Sequence, residues 1–202
     1  MIISMFDIVC ITSRSLCSGD FLEQLRLVAD AEPRFVILRE KDLSEEEYGV
    51  LAEKVLKLFQ GRKTQLFLHF YWEKAVSLGV SNIHLPLRIL RDMKEADKKL
   101  FTSIGASCHS VEDAVEAERL GASYISAGHI FRTECKKGLV PRGLDFLRDV
   151  CYSVDIPVYA IGGITPENIG SVRSCGAAGA CVMSGFMRSP DPKAFIGEFD
   201  RK

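Results

Sequence analysis

The feature that most limits the fold is an alternation running through all 202 residues: apolar runs of strand length, each followed by a stretch of helical period. The strand candidates are Phe6–Ile11, Phe35–Leu38, Thr64–Leu68, Asn82–His84, Leu100–Ala106, Tyr124–Ala127, Pro157–Ile161 and Gly179–Met183. Several are almost wholly apolar, as expected for strands covered on both faces of a parallel sheet. Helical faces lie between them: Phe21, Leu22, Leu25 and Val28; then Leu51, Val55, Leu58 and Phe59; then, after Ser110, Val111, Ala114, Val115 and Ala117 to Leu120. Thr165-Pro166-Glu167 reads as a helix start, and Gly61, Gly79, Gly121 and Gly176 as helix ends. Right-handed crossovers allow an open doubly wound sheet or a closed barrel. Eight strands at a spacing of about 25 residues favour the barrel. The expectation is an α/β chain, one (β/α)₈ TIM-barrel domain over residues 1–202. Its weakest helical segment is Pro86 to Lys99, which is highly charged with a thin apolar face.

Composition narrows the function classes. Lys and Arg number 26 against 27 Asp and Glu, a net charge of −1, so no basic field exists to hold nucleic acid. The longest apolar stretches fall short of the ~18–20 residues of a membrane span. Met1 to Ile11 lacks the charged start and cleavage site of a signal peptide. Seven cysteines without a C-x-x-C pair fit a reducing, cytoplasmic setting. Cys10, Cys17, Cys108, Cys151, Cys175 and Cys181 read as small core residues.

In such a barrel the chemistry sits where strands end. All four histidines follow strands: His69, His84, His109 and His129. Arg39 and Lys41 share strand parity with Ile37 and so face one way, whereas Glu40 does not. Gly162-Gly163 after the seventh strand and Ser184-Gly185 after the eighth allow backbone N–H groups to approach a phosphate. Lys136, in the long loop from Gly128 to Gly138, brings a third cation to the same mouth, and the expected substrate is anionic. Carboxylates are scarce at these strand ends, so no metal site is expected. His129 is the candidate for proton transfer, since imidazole titrates near neutrality and its loop also carries Thr133, Cys135 and Lys136. His84 and His109 read as structural or pocket-lining, and His69 with Phe70-Tyr71-Trp72 as a pocket wall. Cys135 has no base arranged beside it and is not expected to be a nucleophile.

Ile37-Leu38-Arg39-Glu40-Lys41, Ser107, Thr133 to Lys136, Ile161-Gly162-Gly163-Ile164 and Val182-Met183-Ser184-Gly185 occur in the order and spacing of the thiamine phosphate synthase superfamily. The resemblance covers nearly the whole chain and implies a (β/α)₈ barrel. One branch joins a pyrimidine pyrophosphate to a thiazole phosphate with Mg²⁺, and its motifs read roughly Q-x-R-x-K, N-D and H-L-G-Q-x-D. Here Ile37 replaces the Gln, His69-Phe70 the Asn-Asp, and Ile89 the last Asp, so both metal-binding carboxylates are absent. Without Mg²⁺ the departing pyrophosphate loses an assistance worth several kcal/mol.

The run Ala127 to Leu139 with Arg142-Gly143, and Ser107-Cys108-His109-Ser110, is more similar to the TenI-like branch. Those proteins are thiazole tautomerases, and the resemblance implies conversion of an ylidene carboxythiazole phosphate to its aromatic isomer. It places the proton shift on His129, and it implies no cofactor. Substrate contacts are expected from Arg39, Lys41, Ser107, Thr133, Cys135, Lys136, Gly162, Gly163, Met183, Ser184 and Gly185. The expected partner is a small phosphorylated thiazole, with neither nucleic acid nor membrane; a homo-oligomer is compatible with the sequence. A non-catalytic thiazole-phosphate sensor is the alternative from another class, and the synthase is the third.

Overall fold

A computed structural model describes residues 6–201; Met1 to Met5, part of the segment read above for a signal peptide, lie outside them. Eight strands form a closed parallel barrel in sequence order: β1 (Asp7–Ile11), β2 (Phe35–Leu38), β3 (Gln65–His69), β4 (Asn82–Pro86), β5 (Ser103–Cys108), β6 (Tyr124–Gly128), β7 (Val158–Ile161) and β8 (Gly179–Val182). β8 pairs back on β1, Cys181 opposite Val9, which closes the ring. Around it run α1 (Phe21–Asp30), α2 (Glu45–Phe59), α3 (Trp72–Ser77), α4 (Leu87–Asp92), α5 (Glu95–Lys98), α6 (Val111–Arg119), α7 (Gly143–Ser153), α8 (Ile169–Arg173), α9 (Ser184–Arg188) and α10 (Pro192–Asp200). This is the expected (β/α)₈ barrel. Among the described residues no helix is long and apolar enough to cross a membrane.

Local chemistry explains most boundaries. Ser44 and Glu47 form a reciprocal capping box that starts α2, and the side chains of Asp20, Ser110 and Asp191 cap α1, α6 and α10. Gly61, Gly79, Gly121 and Gly176 all adopt the positive φ expected of residues that end helices. The α1 and α2 faces pack inward through Leu25, Val28, Val55 and Phe59, but Val115 of α6 is exposed and only Ala114 and Ala117 there are buried.

Most strand ends shift by one or two residues from the sequence expectation, so that His69 ends β3 and His84 lies within β4 rather than after it, and two starts differ more. Leu100 and Phe101 precede β5 rather than open it; Leu100 is exposed in the turn after α5, and Phe101 packs outside the barrel. Thr165 does not cap a helix. Its N–H instead donates to Asn168 Oδ1 at 2.9 Å in a turn, and α8 starts only at Ile169. The charged stretch after Pro86 becomes two short helices, α4 and α5, broken at Met93-Lys94.

Two packing layers result. The larger lies between strands and helices and contains Cys10, Leu38, Leu68, Ile83, Leu85, Ala106 and Ile125. The smaller fills the barrel with Val9, Ile11, Phe35, Ile37, Phe67, Tyr124, Tyr159 and Cys181. Phe35, Phe67, Tyr124 and Tyr159 form a ring cluster with centroids 4.6–5.6 Å apart. Four rings fit only because β5 and β8 offer glycine beside them: a Cβ on Gly105 would overlap the Tyr124 ring, and one on Gly179 the Tyr159 ring. The aromatic layer thus floors the mouth formed by the strands' C-terminal ends. All seven cysteines are free; Cys135 is exposed, while Cys10, Cys108, Cys175 and Cys181 are buried.

Candidate active site

Ile37 lies in the barrel interior, so the residues that follow at the same parity, Arg39 and Lys41, are delivered to the mouth. The intervening Glu40 is only 4 % exposed, and its carboxylate accepts the Thr12 hydroxyl at 2.6 Å and the Arg14 N–H at 2.9 Å. Thr12 Oγ1 in turn accepts the Arg39 N–H at 2.9 Å, so Glu40 and Thr12 tie the end of β1 to the base of Arg39. Burial raises the Glu40 pKa against the lowering effect of those bonds.

Partial burial lowers the Lys41 pKa, and the charges of Arg39, Lys136 and Arg88 lower it further. Four cations therefore surround one opening, three of them expected from the sequence. Arg88, at the start of α4, is the addition; its signal was lost in a segment that reads as a weak charged helix. Its guanidinium lies 5.4 Å from the centre of the Phe70 ring, and Phe70 itself holds a φ of +73°. Lys41, His69, Phe70, Pro86 and Arg88 line a cavity of about 270 Å³, with Glu40 and Tyr71 completing the wall.

His69 and His84 stand side by side in this wall, ring centroids 6.1 Å apart. Burial, reinforced by Arg39, holds His84 down to about 3, and burial also drives His69 well below its ordinary value. Both imidazoles are neutral near pH 7. His84 bonds Tyr124 and Ser107, and His109 donates from Nδ1 to the Gly128 carbonyl at 2.9 Å.

His129 begins the loop after β6. Its main chain is knitted to β7: Ile130 N–H donates to Ile161 O and Phe131 N–H to Gly162 O, both at 2.9 Å. Gly162 has a φ of +100°, and a Cβ there would collide with the His129 Cβ, so histidine and glycine pair packs directly together. His129 Nε2 is enclosed and, among the described residues, has no hydrogen-bond partner. A buried ring nitrogen left unsatisfied by the protein is a natural place for a ligand group.

The register of β7 on β8, Ile161 opposite Cys181, sets Gly162-Gly163 next to Met183, Ser184 and Gly185. The first N–H groups of α9 lack intrahelical acceptors by construction. Met183 packs against the barrel interior. Thr133 and Lys136 lie in a single 3₁₀ turn on the mouth loop, with Cys135 exposed between them and close enough to influence Arg39. Thr133 and Lys136 also line a crevice inside that loop, together with Arg132, Leu139 and Pro141.

The Mg²⁺ of the synthase branch does not fit these residues. The ends of β3 and β4 offer neutral imidazoles and a phenyl ring, flanked by Lys41 after β2 and Arg88 in α4, and the one carboxylate in the cavity wall is already engaged. Among the described residues no group of three His, Cys, Asp or Glu is placed to hold a metal ion.

Comparison with known proteins agrees with the architecture. The family described as thiamine monophosphate synthase matches residues 8–186. The chain is 31 % identical over 198 residues to a thiamine-phosphate synthase of Syntrophomonas wolfei, covering 95 % of this chain and 93 % of that one. It is 35 % identical over 157 residues to a thiamine-phosphate synthase of Clostridium acetobutylicum, covering 75 % and 72 %. A solved structure of thiamine phosphate pyrophosphorylase from Pyrococcus furiosus superposes with a TM-score of 0.82 at 28 % identity, over 98 % of this chain and 95 % of that one.

Proposed function

The chain belongs to the thiamine monophosphate synthase family, and within it we propose a cofactor-independent thiazole tautomerase of the TenI-like kind, acting in thiamine biosynthesis. The observation that carries this reading is the charge of the mouth: cations and neutral imidazoles stand where metal-assisted pyrophosphate departure requires carboxylates. A tautomerisation needs no such metal. One proton leaves the ring carbon bearing the carboxylate, another is added at the exocyclic carbon, and the double bonds shift between them with no change of oxidation state. A single acid–base group can serve both steps. His129 is assigned that role because its Nε2 is enclosed and unpartnered beside Gly162. The phosphate is assigned to Gly162-Gly163 and Ser184-Gly185. The carboxylate is assigned to the cations, Arg39, Lys41 and Lys136, with Ser107, Thr133, Cys135 and Met183 lining the substrate.

The test is an NMR assay in D₂O on freshly made ylidene substrate, without added metal. Faster appearance of the aromatic carboxythiazole phosphate, with deuterium in the side chain, is expected. His129→Ala should lose turnover while keeping most of its affinity for the product; an unchanged rate would remove His129 from the mechanism. The names of the relatives favour a second reading, synthase activity, which Mg²⁺-dependent pyrophosphate release in the same preparation would establish.

A further inference from the structure

Beneath the cations lies a buried polar chain that the proton shift leaves unused. His84 Nδ1 is 3.0 Å from Tyr124 Oη, and His84 Nε2 is 2.8 Å from Ser107 Oγ and 3.4 Å from Ser126 Oγ. Ser126 Oγ lies 3.5 Å from Ser107 Oγ. His84, Tyr124 and Ser126 are each less than 5 % exposed, whereas Ser107 is half-buried at the edge of the mouth.

A neutral imidazole has one N–H and one lone pair, and Tyr124 decides which nitrogen has which. Its hydroxyl sits over the aromatic floor, and His84 Nδ1 is the one hydrogen-bond partner it has among the described residues. Burial keeps the phenol protonated. A buried O–H with no acceptor is costly, while a phenol oxygen tolerates receiving no donor, so Tyr124 donates to Nδ1. The imidazole proton then sits on Nε2 and is donated to Ser107 Oγ. Ser126 can no longer give its proton to Nε2 and turns it to Ser107 Oγ as well. With both lone pairs of Ser107 engaged from below, its own proton is left for the mouth.

We infer that His84 and Tyr124 are positioning residues that make Ser107 an obligate hydrogen-bond donor to an anionic oxygen of the substrate. The inference rests on the proposed function only in taking this mouth as the substrate site. A donor locked in advance avoids reorienting a hydroxyl when the ligand arrives, which is the gain expected of a pre-organised site.

Long-range ¹H–¹⁵N NMR of the labelled protein tests the arrangement without any ligand. His84 is expected as the Nε2–H tautomer, and Tyr124→Phe should move the unprotonated Nδ1 resonance. An Nδ1–H tautomer, or an Nδ1 signal indifferent to Tyr124→Phe, overturns the inference. Calorimetry with the aromatic carboxythiazole ethyl phosphate supplies the second arm. Ser107→Ala should weaken binding about tenfold, as for a hydrogen bond to a charged group, and Ser107→Thr should restore it. His84→Leu should cost a similar factor alone and nothing further in the Ser107→Ala background. Independent, multiplying losses would show that His84 does not act through Ser107. Failure of the wild type to bind this ligand would count against the tautomerase reading, while the tautomer measurement would still decide the inference.

Discussion

Tyr48→Phe removes one oxygen and asks how the mouth ends of β2 and β3 are held together. Tyr48 projects from α2 and is 1 % exposed. Its hydroxyl donates to the Leu38 carbonyl at 2.7 Å and accepts the His69 N–H at 2.8 Å. Phenylalanine keeps the ring and its packing on Tyr71, 5.2 Å away between centroids, so the loss is confined to two hydrogen bonds. Both backbone partners remain buried, and an unsatisfied buried group costs about 1–3 kcal/mol. Taking the lower half of that range for each, since strand ends can draw together, gives about 3 kcal/mol. For a chain of this size that is a fall in Tm of about 6–12 °C. Urea unfolding followed by far-UV circular dichroism should show a lower midpoint with an unchanged slope. A loss below about 1 kcal/mol would refute the reasoning and show that β2 and β3 complete their own ladder without the hydroxyl.

Acid should weaken the fold through His84. Its folded pKa of about 3 lies below the ordinary 6.5, so below pH 6.5 the unfolded chain binds a proton that the folded chain does not. Stability is full above that pH and falls as the pH drops toward 3, by about 2 kcal/mol at pH 5 at 1.36 kcal/mol per unit. His69 acts in the same direction. Urea titrations at pH 7 and pH 5 measure the difference, and His84→Gln should reduce it; equal stability at both pH values would contradict the buried neutral imidazole. Gly105→Ala should cost about 2–3 kcal/mol, because the new methyl would meet a Tyr124 ring already fixed by three aromatic neighbours. Thermal denaturation against Gly170→Ala, whose Cβ would meet open space at a φ that is not positive, isolates the overlap with Tyr124.

What could be read from the sequence was what depends on periodicity and chain order. Apolar runs located all eight strands because parallel strands are buried on both faces, and parity delivered Arg39 and Lys41 to the mouth together. Boundaries failed where apolar or capping residues serve another purpose. Leu100 and Phe101 look like strand yet sit in the preceding turn, and Thr165-Pro166 looks like a cap yet forms its own turn. Arg88 was hidden because a charge in a weak helix gives no hint of facing a cavity. The role of Ser126 was hidden because a small hydroxyl inside an apolar strand shows its meaning only across the barrel. His84 read as structural or pocket-lining; its bonds to residues 23 and 40 positions away are visible only once β4, β5 and β6 lie side by side.

The aromatic floor also governs traffic. Phe35, Phe67, Tyr124 and Tyr159 stopper the barrel axis beneath the mouth, so among the described residues the axis gives no passage past them. A ligand seated above them would leave by the side on which it entered. For the proposed isomerisation, whose product is nearly isosteric with its precursor, product is then expected to compete with substrate for that entrance.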